Sequence, residues 1–194
     1  ANMYRYNKVQ GRVLSEVVTV PRFHQLLEFS QGFWASKQLT EDQQATFQHN
    51  CLRFYRDKTL ERVELFYKTC AKQDGTESIN GVLTPSLRSL LERVDWNWLA
   101  QGLAGRFHGD FHFENIIVTD EDRFVFLDWR QDFGGDLSIG DVYYDLAKIL
   151  HGLIINHELV NLDLYLTDWQ ASDISFAVHR RQSLVDWVRY FESW

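Results

Sequence analysis

Two short β-prone runs sit in the middle of a chain that otherwise reads as helix. Asn115-Ile116-Ile117-Val118-Thr119 and Arg123-Phe124-Val125-Phe126-Leu127 are separated by the turn residues Asp120-Glu121-Asp122. This spacing predicts a β-hairpin. A tight hairpin brings the start of its first strand and the end of its second to one edge. Asn115 stands at that start, and Asp128 lies just past that end.

Around the hairpin, apolar residues recur at helical spacing. A helix is predicted from Pro21 to about Lys37, with Phe23, Leu26, Leu27, Phe33 and Trp34 on one side. Thr40-Glu41-Asp42-Gln43 has the capping-box pattern and opens a long helix to about Lys72. Asp74-Gly75 ends it, and a polar loop is expected as far as Gly81. Thr84-Pro85 reads as a cap followed by proline in the first turn of a further helix. Beyond a Gly-rich loop at 134–140, helices are expected at about 141–157, 159–166 and 172–192. The first twenty residues differ: Met3–Tyr6 alternates, Gly11 breaks the run, and Val13-Leu14 with Val17–Val20 is β-prone. The expected class is α+β and mostly helical. The high aromatic share, 15% with seven Trp and only two Pro, suits a large helical core.

Composition narrows the function. The 194 residues suit one domain, and 45% hydrophobic with 24% charged residues is ordinary globular composition. The net charge of −7 argues against nucleic acid or an anionic membrane as partner. Cys51 and Cys70 lack metal or disulfide-framework spacing and read as reduced packing residues. With no membrane-spanning run and no signal-peptide pattern, the expected location is cytoplasmic.

The informative segment is Phe107-His108-Gly109-Asp110-Phe111-His112-Phe113-Glu114-Asn115, followed by Phe126-Leu127-Asp128. Asp110 lies in the polar loop before the first strand. Asn115 and Asp128 meet at the hairpin edge and offer hard oxygen donors that suit Mg²⁺. Asp110 is then left nearby as a base. Asp, four residues, Asn, and an Asp closing a hairpin is the arrangement of a kinase catalytic loop.

Three blocks together resemble the aminoglycoside phosphotransferase and choline kinase family. They are His108-Gly109-Asp110 with Asn115, Leu127-Asp128-Trp129, and Gly140-Asp141-Val142-Tyr143-Tyr144-Asp145-Leu146-Ala147. The family pattern is H-G-D-x-x-x-x-N, a strand ending I/L-D-W/F, then G-D-x-x-Y-D-L-A. The resemblance implies a protein-kinase-like fold, ATP and Mg²⁺ as cofactors, and a small-molecule alcohol as phosphoryl acceptor. It implies that Asp110 is catalytic, that Asn115 and Asp128 hold Mg²⁺, and that Ile117 lies under the adenine. It also implies that His108 and Asp145 support the catalytic loop.

Two patterns compete. Asp132-Phe133-Gly134 spells a protein-kinase metal motif, but it lies beyond the strand, whereas Asp128 ends it. His108 and His112 have the spacing of helical zinc ligands, but Gly109 and the following strand argue against a helix there. Asp141 is placed to cap the next helix, and Asp136 reads as a loop acid.

The resemblance covers only the family's hinge and C-terminal lobe. Residues 1–20 are expected to be a hinge and strand remnant, with Met3–Gly11 resembling the hinge, and residues 21–194 the helical C-lobe. The N-lobe is largely absent: the first twenty residues hold no Gly-rich phosphate loop and one lysine, Lys8. An N-lobe or further domain in the same polypeptide is therefore expected, and the isolated chain should be inactive or weakly active. The other reading is a non-catalytic pseudokinase or interaction domain that keeps the C-lobe as scaffold. Near the loop, Asp132, Asp136, Trp96, Trp98, Trp129, Tyr143 and Tyr144 offer acidic and aromatic walls suited to a cationic acceptor, although Arg130 sits at the same edge. A choline-like amino alcohol, a sugar and an aminoglycoside all remain open.

Overall fold

The computed structural model describes residues 8–155, 157–179 and 181–194. The expected strand Met3–Tyr6, and the hinge segment up to Asn7, lie outside the described residues. Among the described residues, helices hold nearly half, and three small sheets share the rest with loops.

The hairpin forms as predicted. Strand β5 (Ile116–Val118) pairs antiparallel with β6 (Phe124–Phe126), with Ile117 opposite Val125. Strand β1 (Arg12–Val13) adds to its other edge, with Val13 opposite Ile117. The β-prone Val17–Val20 is not a strand. It falls in the short helix α1 (Leu14–Val17) and at the start of α2 (Val20–Phe33). Thr19 Oγ1 accepts from the Arg22 N–H at 3.3 Å, and Pro21 sits in the first turn, where its missing N–H is harmless. This local capping outweighs the β propensity of the valines. α2 buries Phe23, Leu26, Leu27 and Ser30 along one stripe.

The capping box of Thr40 and Gln43 is closed in both directions and starts α3 (Glu41–Leu52). A π-helical turn, Arg53–Asp57, carries the chain into α4 (Lys58–Thr69). That turn buries Phe54.

Two expectations downstream are corrected. The loop expected as far as Gly81 contains strand β2 (Glu77–Ile79), which Asn80-Gly81, both at positive φ, joins to strand β3 (Val82–Thr84). Thr84 therefore ends a strand, and Ser86 caps the short α5 (Leu87–Leu91), which precedes α6 (Trp96–Leu99). The second correction concerns residues 165–178, expected to be helical at 165–166 and from 172 onward. After α7 (Val142–Ile154) and α8 (His157–Asn161), the chain forms strands β8 (Tyr165–Gln170) and β9 (Asp173–Val178) before α9 (Gln182–Ser193). β9 pairs parallel with β2, giving the order β3-β2-β9-β8. Asn80 fastens the two pieces: its carboxamide donates to the Phe176 carbonyl and accepts from the Phe176 N–H, both at 2.8 Å.

Among the described residues, two apolar clusters fill the interior. One gathers α1, α2, the hairpin, α7 and α9 around Phe23, Leu26, Leu27, Ile116, Ile149, Leu153 and Leu184. The other holds Phe47, Cys51, Phe54, Phe107 and Phe133. Cys51 is buried as expected, and burial pushes its thiol up to about 12, so it stays protonated. Cys70 is exposed rather than packed. Among the described residues no helix is long and apolar enough to cross a membrane.

Candidate active site

The polar segment 107–115 runs between the two clusters. Phe107 inserts into one, and Phe111 and Phe113 insert into the other. Pinning phenylalanines this way leaves the intervening polar residues little freedom. A two-stranded ladder frames the segment: β4 (Ala104–Gly105) pairs with β7 (Gly140–Asp141).

Asp145, in the first turn of α7, is fully buried. Its Oδ1 accepts from the Gly109 N–H, and its Oδ2 from the His108 N–H, both at 2.7 Å. Burial pushes its carboxyl up to about 6, against these hydrogen bonds. His108 is buried too, edge-on to the Phe111 ring and tilted against Trp129. Its Nδ1 accepts from the Asp110 N–H at 3.2 Å, and burial lowers its pKa, favouring the neutral ring. Both residues thus act on the backbone of the loop.

Asp110 has both carboxylate oxygens engaged. Lys148 Nζ lies 2.8 Å from Oδ1. The Asn115 carboxamide donates to Oδ2 at 3.2 Å and to the Asp110 carbonyl at 3.0 Å. His112 Nε2 stands 3.4 Å from Oδ2, and its Nδ1 pairs with Glu114 at 2.8 Å. Burial acts to raise the Asp110 carboxyl, but Lys148 and His112 outweigh it and hold the group below its ordinary value. Asp110 is therefore ionised at neutral pH and can accept a hydroxyl proton.

Asn115 is buried at the foot of β5, and its carbonyl accepts from the Leu127 N–H at 2.8 Å. That bond ties it to the residue preceding Asp128. Asp128 is exposed, at φ 53°, where the chain leaves β6. The pair offers one carboxamide oxygen and one carboxylate. That set fits Mg²⁺, which keeps several waters and needs only one or two protein carboxylates beside substrate phosphates. Among the described residues no three His, Cys, Asp or Glu side chains converge as a metal cage. Neither His108 nor His112 lies in a helix, so the helical spacing of zinc ligands does not apply to them.

A family model described as the phosphotransferase enzyme family matches residues 22–171. The chain belongs to that family. No curated protein and no solved structure matches it. The family match agrees with the resemblance drawn from the three sequence blocks, and membership in the phosphotransferase enzyme family implies a kinase-like fold.

Other residues singled out in this phosphotransferase-family chain have plainer settings. Ile117 lies in β5 beneath Gly11, where a side chain at Gly11 would meet Ile117 Cγ2 at 2.8 Å. In Asp132-Phe133-Gly134, Phe133 is fully buried and stacks on Phe54 with ring centroids 4.4 Å apart. Asp132 accepts from the Gly135 N–H and Asp136 from the Ser138 and Ile139 N–H groups, so both acids cap the loop. Asp141 accepts from the Leu103 and Tyr143 N–H groups and from the Tyr55 hydroxyl, which makes it a buried cap. Trp98, Tyr143 and Tyr144 line an open cleft of about 580 Å³ with Tyr55 and Ala147. Trp96 lines a separate groove beside Tyr67, and Trp129 packs on Phe33. The guanidinium of Arg130 lies over Phe54 and Tyr144.

Sequence reasoning missed two partners of this site. Trp34 Nε1 donates to Asp145 Oδ2, and Lys148 pairs with Asp110. Lys148 follows Asp145 by three positions, so the two share a helical face. That spacing was the available signal.

Proposed function

We propose that this chain carries the catalytic loop and Mg²⁺ ligands of an ATP-dependent phosphotransferase acting on the hydroxyl of a small molecule. The observation that carries the reading is the loop clamp. One buried carboxylate, Asp145, holds the backbone of His108 and Gly109 and so sets the position of the ionised Asp110 beside Asn115. Asp110 orients the acceptor hydroxyl and takes its proton. Asn115 and Asp128 hold the Mg²⁺ that neutralises phosphate charge, and Ile117 offers an apolar surface to the adenine. Positioning of this kind is most of what phosphoryl transfer asks of a protein.

The cleft lined by Trp98, Tyr143, Tyr144 and Tyr55 supports a cationic acceptor such as an amino alcohol or aminoglycoside, through cation–π contact. A Gly-rich phosphate cover and its lysine belong to an N-lobe elsewhere in the same polypeptide. The test is ADP release from Mg-ATP by the native full-length polypeptide, offered choline, ethanolamine, sugars and aminoglycosides. Release with one acceptor, lost in Asp110→Ala by about 10²–10⁴-fold, is the expected result. No release with any acceptor, together with no Mg-ATP binding, would replace the reading with a non-catalytic scaffold.

A further inference from the structure

Lys148 is a cation placed against the base, and loop support does not account for it. Asp145 already fixes the loop through the backbone of His108 and Gly109, and Asn115 already orients Asp110. A second cation near the loop, Arg130, is engaged: its Nε donates to the Gly109 carbonyl at 3.3 Å, and its guanidinium lies over two aromatic rings. Lys148 Nζ reaches Asp110 Oδ1 at 2.8 Å, and both side chains are partly open to solvent, at 27% and 38%. It carries three donors on a flexible stem.

We infer that Lys148 contacts the phosphoryl group being transferred, moving from Asp110 to share its charge between the base and the terminal phosphate of ATP. The inference rests on the phosphotransferase reading above. The acceptor oxygen forms a bond to the terminal phosphorus as the bond from phosphorus to the bridging oxygen breaks. The electron pair leaves with ADP, and the hydroxyl proton passes to Asp110. A hydroxyl hydrogen-bonded to Asp110 has its oxygen about 3 Å from the carboxylate and about 3–3.5 Å from the phosphorus in a near-attack arrangement. An ammonium beside Oδ1 is thus within one side-chain rotation of the equatorial phosphoryl oxygens. These oxygens carry the spread charge of the loose transition state, which a fixed cation stabilises.

The test compares Mg-ATP with Mg-ADP, which lacks the terminal phosphate. Calorimetric titrations use the native full-length polypeptide as wild type, Lys148→Met and Lys148→Arg. Lys148→Met is expected to weaken Mg-ATP binding about tenfold or more and to leave Mg-ADP binding within about twofold. Lys148→Arg, which keeps the charge, is expected to restore most of the Mg-ATP affinity. A wild-type measurement stands independently of any folding defect: Mg-ATP, but not Mg-ADP, should slow reductive methylation of Lys148, read by peptide mass spectrometry. If the wild type binds Mg-ATP while Lys148→Met weakens both nucleotides equally or neither, and both nucleotides protect Lys148 alike or not at all, Lys148 is only an ion-pair partner of Asp110. If the wild type binds no Mg-ATP and releases no ADP, the phosphotransferase reading falls, and this inference falls with it.

Discussion

The indole N–H of Trp34, at the end of α2, donates to Asp145 Oδ2 at 2.9 Å, deep beneath the loop that carries His108, Gly109 and Asp110. Asp145 therefore gathers three N–H donors from distant parts of the chain: the Trp34 side chain and the backbone of His108 and Gly109. Replacing the carboxylate strands all three in a dry interior. Asp145→Ala should cost about 3–5 kcal/mol, and Trp34→Phe about 1–3 kcal/mol. For a chain of this length, each kcal/mol lowers Tm by about 2–4 °C. Thermal melts of the two variants check both figures. A loss under about 1 kcal/mol in Asp145→Ala would show that the loop is held by its phenylalanines alone.

The same carboxyl makes stability depend on pH. In the fold it titrates at about 6, above its ordinary value of 3.8, because burial penalises the charge. The folded state therefore binds this proton more tightly than the unfolded chain. Its contribution is fully present below about 3.8 and is lost as pH rises through about 6. Relative to Asp145→Asn, which does not titrate, the wild type should gain on the order of 2 kcal/mol between pH 7 and pH 4. Urea unfolding of both proteins across that range measures the difference, and parallel curves would contradict it.

Legibility in the sequence followed how local each signal was. The hairpin and the loop before it could be read because Asp110, Asn115 and Asp128 sit within one continuous stretch with strong β and turn chemistry. The Thr40 capping box could be read for the same reason. Strands β8 and β9 escaped because their residues are mostly exposed on both faces, which erases the two-faced alternation that marks a half-buried strand. The other neighbour of β9, β2, also lies far away in sequence, so only the tertiary path brings that pair together. Lys148 and Trp34 escaped likewise: each meets its carboxylate through a contact between remote elements.

The two acids that compete for the metal role can be separated by mutation. Asp128 leaves the hairpin exposed beside the Asn115 backbone tie, whereas Asp132 caps the turn at Gly135. In the native full-length polypeptide, Asp128→Asn should raise the Mg²⁺ concentration needed for half-maximal ADP release by about tenfold or more. Asp132→Asn should leave that midpoint within about twofold. Chelating Mg²⁺ should abolish release by the wild type. The reverse ranking of the two variants would move the metal to the loop. Phe133→Ala should cost about 3–5 kcal/mol in stability whichever acid binds the metal, since its ring fills the second cluster.

Gly109 offers the sharpest test of how closely the loop must be held. It sits at φ 84°, and a Cβ there would fall 2.4 Å from Arg130 Cβ and 2.9 Å from the Phe107 ring. An alanine must therefore adopt a left-handed backbone and also displace the chain at Arg130, whose N–H donates to the His108 carbonyl at 2.9 Å. The strain and the crowding together should cost about 2–4 kcal/mol. The same push falls on the residue that precedes Asp110, and the Gly109 N–H is one of the two main-chain donors to Asp145. A misplacement of about 1 Å in a catalytic group can cost about 10²-fold in rate. Gly109→Ala should therefore lower kcat for ADP release by about that factor and melt about 4–16 °C below the wild type. A variant that melts lower yet turns over at the wild-type rate would show that Asp110 finds its position independently of the clamp.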